Sequence, residues 1–185
     1  MTDAAQDPRD DLVNHLGALR AFAISLTRNG ATADDLVQDT LVKAWTNIDK
    51  FENGSNMRAW LFTILRNTYY SLRRKRKREV EDADGALSAT LAQKPDHDGR
   101  LHMRDFQVAF AQLNDEQREA LTLVGAGGFS YEEAAEMCGV KTGTIKSRVN
   151  RARARLSELM DLGEDSKMEL TDTVTAGIVA QQGAA

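Results

Sequence analysis

The feature that most constrains this chain is an apolar stripe near its end. Ile145, Val149, Ala152 and Leu156 recur at spacings of three and four residues. At 100° per residue these side chains share one narrow helix face, and such a face must be buried against other helices. Just upstream, Ser130-x-x-Glu133 has the residue types of a capping box and opens a short helix, which ends at Cys138-Gly139-Val140. A short capped helix, a three-residue turn centred on glycine and a second helix make the helix-turn-helix spacing. Gly139 suits that turn because a positive φ is cheap only for glycine. Cys138 reads as a small buried residue of the turn rather than a reactive thiol.

The same helical wheel says what the last helix presents. Lys146 and Arg153 flank the stripe on one side, Arg148, Arg151 and Arg155 flank it on the other, and Ser147 and Asn150 point directly away. Small polar residues rimmed by cations suit a major-groove helix, in which Arg and Lys reach phosphates or guanine and short side chains read base edges. A basic surface helix that contacts nothing specific is the competing reading.

The rest of the chain is helical as well. Asp7-Pro8 is a helix start, a capping carboxylate followed by proline at the first helical position. Leu12, Leu16, Leu19, Ala23 and Leu26 follow, and Asn29-Gly30 is expected to end this helix. Thr32-x-x-Asp35 is expected to open the second, with Leu36, Val37, Leu41, Ala44 and Trp45 as its apolar positions. After a polar loop from Asn47 to Asn56 comes a long helix. Trp60, Leu61, Ile64, Leu65 and Thr68 are its expected core stripe, and it ends in the basic run Arg73 to Arg78. Residues 79–100 lose periodicity and read as a flexible linker. Met103, Phe106, Phe110 and Leu113 begin a second apolar pattern, and Asn114-x-x-Gln117 caps a helix that Gly127-Gly128 should stop. The expectation is an all-α chain of two small helical domains, 8–78 and 101–162, joined by a flexible linker at 79–100 and followed by an unassigned tail at 163–185.

Charge is sorted along the chain. The net charge of −4 hides eight Lys/Arg and no acid in residues 58–78, and six and no acid in 141–156. Outside these blocks ten basic residues face all 28 acids, a balance of −18. Two basic blocks on an acidic body are the footprint of a localised polyanion site, provided the chain's own acids do not neutralise them. No apolar run is long enough to span a bilayer. The acidic amino terminus does not resemble a signal peptide. The lone Cys138 suits a reducing cytoplasm, where the chain is expected to act. His15, His97 and His102 lie in different segments, no metal-ligand cluster or phosphate-cradling glycine loop is visible, and neither catalysis nor a cofactor is expected.

Three blocks carry a family resemblance: ATADDLVQDTLVKAW (31–45), DKFENGSNMRAWLFTILRNTYYSLRRKRKR (49–78) and FSYEEAAEMCGVKTGTIKSRVNRARARL (129–156). In this order they resemble the extracytoplasmic-function (ECF) sigma factors of bacterial RNA polymerase, and within them the EcfG type that runs the general stress response of alphaproteobacteria. The resemblance implies a sigma region-2-like domain that binds core polymerase and reads the −10 element, and a region-4-like domain that reads the −35 element. It places Asp35, Gln38 and Asp39 on the β′ clamp helices of the polymerase, with the β subunit as a further contact. Asn53, Ser55 and Asn56 become readers of an unstacked −10 base and Asn67 a helix position facing that strand, with Arg66, Arg73, Arg74 and Arg76 on phosphates. In the second domain Thr144, Lys146, Ser147, Asn150 and Arg151 become the −35 contacts, with Arg148 on phosphate. The implied partners are core polymerase, promoter DNA, a NepR-like anti-sigma factor and a PhyR-like protein that imitates the sigma factor. An ordinary helix-turn-helix regulator would leave the first two blocks idle. A sigma-like decoy that binds only the anti-sigma factor would have no need for two acid-free basic blocks.

Overall fold

A computed structural model describes residues 7–52, 54–82 and 101–161 of the chain. Its elements are helices throughout. They are α1 (Pro8–Asp11), a 3-10 turn (Leu12–His15), α2 (Leu16–Thr27), α3 (Gly30–Thr46), a second 3-10 turn (Ile48–Lys50) and α4 (Met57–Asp82), then α5 (Leu101–Ala111), α6 (Asp115–Leu121), a π-helical turn (Thr122–Ala126), α7 (Tyr131–Cys138) and α8 (Thr142–Leu159). Among the described residues no helix is long and apolar enough to cross a membrane.

In the first unit α2, α3 and α4 pack on one another. Leu19, Phe22 and Leu26 of α2, Ala33, Leu36 and Ala44 of α3, and Leu61, Phe62 and Leu65 of α4 are all buried. The Phe22 and Phe62 rings stack with centroids 4.9 Å apart, a geometry that adds to the area they bury. Asp7 caps α1 by accepting from the Arg9 amide at 2.9 Å, with Pro8 at the first helical position. The single long first helix expected from the sequence is divided by the 3-10 turn. Arg28 ends α2 in the left-handed region at φ 57°, and the cap of the next helix lies three residues earlier than its sequence suggests. Asn29 is its cap, accepting from the Thr32 amide, so Asn29 opens α3 rather than closing α2. An asparagine oxygen two or three residues from a free amide outcompetes threonine as a cap.

In the second unit α6, α7 and α8 enclose Leu121, Leu123, Ala134, Ala135, Ile145, Val149, Ala152 and Leu156, with Phe106 and Ala109 of α5 laid against them. Both expected caps of this unit form as full capping boxes, Asn114 with Gln117 and Ser130 with Glu133. Gly139 takes φ 65° at the end of α7. The α6 helix is not stopped by Gly127 alone, because it first loosens into the π-helical turn that carries Val124. The α4 helix continues through Asp82, into the segment read as linker, while residues 83–100, the tail from 162 onward and Asn53 lie outside the described residues.

Candidate nucleic-acid and protein interfaces

The α8 helix bears out its wheel. Ile145, Val149, Ala152 and Leu156 are each 0 % exposed, whereas Lys146, Ser147, Asn150 and Arg151 are open to solvent. The two faces follow from one packing choice, since the stripe that holds α8 to its domain fixes which side chains remain outside. Arg151 Nε donates to the Ser147 carbonyl at 3.3 Å, and the Lys146 ammonium sits 5.7 Å from the Tyr131 ring centroid. Thr144 is half-buried. Arg148 departs from expectation: only 12 % of its side chain is exposed, and it pairs with Glu116 at 2.9 Å.

On α3, Asp35, Gln38 and Asp39 form an exposed face, and the neighbouring Asp34 pairs with Arg20 at 2.7 Å. That face continues through Val42 and Trp45, which are 60 % and 57 % exposed. Trp45 is therefore not the core residue its sequence context suggested, and the Arg9 guanidinium lies 5.2 Å over its ring. The wheel contained the signal. Trp45 falls well away from the Leu36, Thr40 and Ala44 line and beside Gln38 and Val42.

The loop before α4 turns at Gly54 with φ 90°, and Asn56 Oδ1 accepts from the Ala59 amide at 3.1 Å as the helix begins. Beside it, α3 and α4 bound an open groove of about 490 Å³ lined by Lys43, Asn47, Lys50, Trp60, Asn67 and Ser71, together with Ile64 and Thr68. Lys43 Nζ donates to Thr68 Oγ1 at 3.0 Å and Lys50 Nζ to Asn47 Oδ1 at 2.6 Å, so the cations are held on the groove wall. Asn67 falls in this groove; Lys43, Asn47, Lys50 and Ser71 escaped sequence reasoning because they come from segments separated along the chain. Trp60, read as core, is half-buried against Phe51 with an edge on the groove. Ser55 is exposed, Arg74 and Arg76 are exposed along α4, and Arg74 donates to Ser71 Oγ at 3.2 Å.

Arg58, Arg66 and Arg73 of the first basic block face the second unit. Arg66 Nε approaches Glu119 Oε1 to 2.7 Å as an ion contact without hydrogen-bond alignment, and Glu119 is 1 % exposed. Tyr70 donates to Glu119 Oε2 at 3.3 Å, Arg73 pairs with Asp115, and Asn56 Nδ2 donates to Glu133 at 3.4 Å. Phe62 and Phe129 meet edge to face at 5.1 Å, with the Arg58 guanidinium over both rings. The cationic block is thus partly met by the chain's own acids, contrary to the expectation of an open polyanion surface. The physical reason is that α6 and α7 present Asp115, Glu119 and Glu133 on the side that α4 approaches. Burial raises the Glu119 carboxyl above its ordinary value, opposed by Arg66, Cys138 and Tyr70. Burial also raises the Tyr70 hydroxyl, and it lifts the Cys138 thiol to about 12, which leaves that sulfur protonated and inert.

Comparison with known proteins gives consistent relatives. Residues 12–79 match the family described as Sigma-70 region 2 and residues 103–156 the family described as Sigma-70, region 4. The chain is 55 % identical to the ECF RNA polymerase sigma factor EcfG of Rhodopseudomonas palustris, over 92 % of this chain and 94 % of that protein. It is 32 % identical to the ECF RNA polymerase sigma factor SigM of Bacillus subtilis, over 77 % and 88 %. Among solved structures it is similar to the sigma factor RpoE of Bartonella quintana, seen in complex with the anti-sigma factor NepR. That likeness has 54 % identity and a TM-score of 0.77, and covers 86 % of this chain and 100 % of that one.

Proposed function

The chain belongs to the ECF sigma factors of bacterial RNA polymerase, and from that premise we propose how its surfaces divide the work of promoter recognition. A sigma factor lends specificity to core polymerase and is not itself an enzyme. The first unit, residues 8–78, carries the polymerase contact and the −10 reader. The second, 101–162, carries the −35 reader, and the segment between them is the tether. If fully extended, the 18 residues between α4 and α5 would reach roughly 60 Å, more than one helical turn of DNA at about 34–36 Å per turn.

The observation that carries this reading is α8, where four fully buried residues leave Lys146, Ser147, Asn150 and Arg151 on the open face. That face suits base edges in the major groove. The α3 face of Asp35, Gln38 and Asp39 has the charge to meet basic clamp helices, and Val42 with Trp45 adds an apolar end of the kind that anchors interfaces. The groove between α3 and α4 has the volume, amide and hydroxyl groups and cations to hold a single unstacked base. The exposed Arg74 and Arg76 suit backbone phosphates, and Ser55 is exposed in the loop before α4. By likeness to the NepR-bound relative, a NepR-type anti-sigma factor restrains the chain, with general stress genes as its targets and the cytoplasm as its place of action.

In vitro transcription tests this directly: core polymerase is presented with a promoter library with and without the chain. The expected result is start-site selection that depends on the chain and tracks a shared −10/−35 pair. A core enzyme whose start sites are indifferent to the chain would overturn the reading.

A further inference from the structure

The seam that holds α8 to its unit fixes which residues are buried more firmly than it fixes the helix's angle. Ile145, Val149, Ala152 and Leu156 are each 0 % exposed, on a helix that packs against α6 and α7. Apolar burial is non-directional, and packed helices cross at angles that scatter by about 15–20°. A swing of about 20° carries a side-chain tip, about 5–6 Å from the helix axis, through about 2 Å. Hydrogen bonds to base edges hold only over donor–acceptor distances of about 2.7–3.2 Å. The short side chains of Ser147 and Asn150 cannot follow such a displacement. Base reading by α8 therefore requires a directional contact that sets its angle.

Arg148 supplies such a contact. It stands beside the buried Val149, only 12 % of its side chain is exposed, and Nη2 lies 2.9 Å from Glu116 Oε1 in the first turn of α6. We propose that Arg148 is a positioning residue and not a phosphate contact: with Glu116 it forms a strut between α6 and α8 that aims the recognition face at the major groove. The inference rests on the −35 reading of α8 given above and adds to it what sets the angle of that helix.

Three observations support the strut. The guanidinium is already matched by a carboxylate, so the pair offers no net charge to a phosphate and displaces no counterion. The far end is anchored, because Glu116 sits on a helix opened by the full Asn114–Gln117 capping box and followed by Arg118, which is 1 % exposed and donates to the Leu113 carbonyl at 2.7 Å. The pair is also poorly suited to be glue. The Glu116 side chain is 62 % exposed, and ion pairs open to solvent add little stability. A planar guanidinium held on a carboxylate does impose a direction, which the apolar seam lacks.

The test uses the chain assembled with core polymerase and a labelled promoter duplex on which the chain is active, beside the same duplex with its −35 element scrambled. Affinity is read by fluorescence anisotropy over a salt series. The variants are Glu116→Gln, Arg148→Gln and the two combined, with folding followed by circular dichroism. Glu116 lies at the surface, so its variant decides the matter even where Arg148→Gln fails to fold. Each single variant is expected to lower the preference for the intact duplex about tenfold, as for the loss of about one base contact. The double variant should fall no further, since both changes remove the same strut, and every log–log salt slope should match that of the unaltered chain. Electrostatics alone would have Glu116→Gln bind DNA more tightly with its preference intact, and that result would overturn the strut. A slope lowered by about 0.9 in Arg148→Gln would make Arg148 a phosphate contact and overturn it too, as would single losses that add in the double variant. An unaltered chain indifferent to scrambling would instead overturn the −35 reading, and the strut with it.

Discussion

At the scale of single residues, exposure on α8 separates side chains that neighbour one another in sequence. Lys146 and Arg151 are exposed, whereas Arg148 is turned toward Glu116. Replacing Lys146 or Arg151 with Ala should weaken −35 duplex binding and promoter-specific transcription by about 1–3 kcal/mol each. Affinity for core polymerase, measured in parallel, should stay as it was. Glu119 gives a second prediction. Its folded value lies above the ordinary 4.5, so the folded state holds this proton more tightly than the unfolded chain does. That contribution is fully present below about pH 4.5 and is lost as pH rises through the folded value. Urea denaturation of the native chain and Glu119→Gln across this range should show the native chain losing stability relative to the variant as pH increases.

At the scale of elements, helices that the sequence marks with a stripe or a cap are readable in advance, α8 by its apolar stripe and α7 by its capping box. Gly139→Ala would place a Cβ at φ 65° and should destabilise the chain by about 1 kcal/mol. Leu156→Ala should cost about 2–5 kcal/mol by opening a cavity in the α8 seam; both are measurable by thermal melting. What escapes the sequence is set by packing between segments distant along the chain. The Lys43, Asn47 and Lys50 wall of the groove becomes a site only once α4 lies across α3. The π-helical turn after α6 is another such feature. Phe129 N reaches back to the Leu123 carbonyl at 3.1 Å, and a Cβ on Gly127 would lie 2.9 Å from the Phe129 ring. Glycine there lets Phe129 swing against Phe62, a requirement that no local spacing reveals. On α3, the aromatic character of Trp45 points to the core, although its angular position sets it beside Gln38 and Val42. Asp35→Ala with Asp39→Ala should weaken core-polymerase binding, and Trp45→Ala should weaken it further; titration of labelled core with each variant gives the comparison.

At the scale of the whole molecule, the arrangement of charge matters more than its total. A chain of net −4 binds a polyanion only where its cations are locally uncovered, so its affinity should fall steeply with salt. Removing Arg74 and Arg76 together should flatten the log–log salt dependence of promoter-fragment binding by about two units, roughly one for each phosphate no longer neutralised. An unchanged slope would mean that the exposed length of α4 stays clear of the backbone. The placement of Trp45 and Trp60 has an optical consequence. Both indoles of the chain lie in the first unit, one on the outer α3 face and one at the groove edge. Intrinsic emission from the free protein is therefore a two-channel gauge. A Trp45→Phe chain reports only what enters beside α4, a Trp60→Phe chain reports only what settles on α3, and the order of those two events can be timed without attaching a dye.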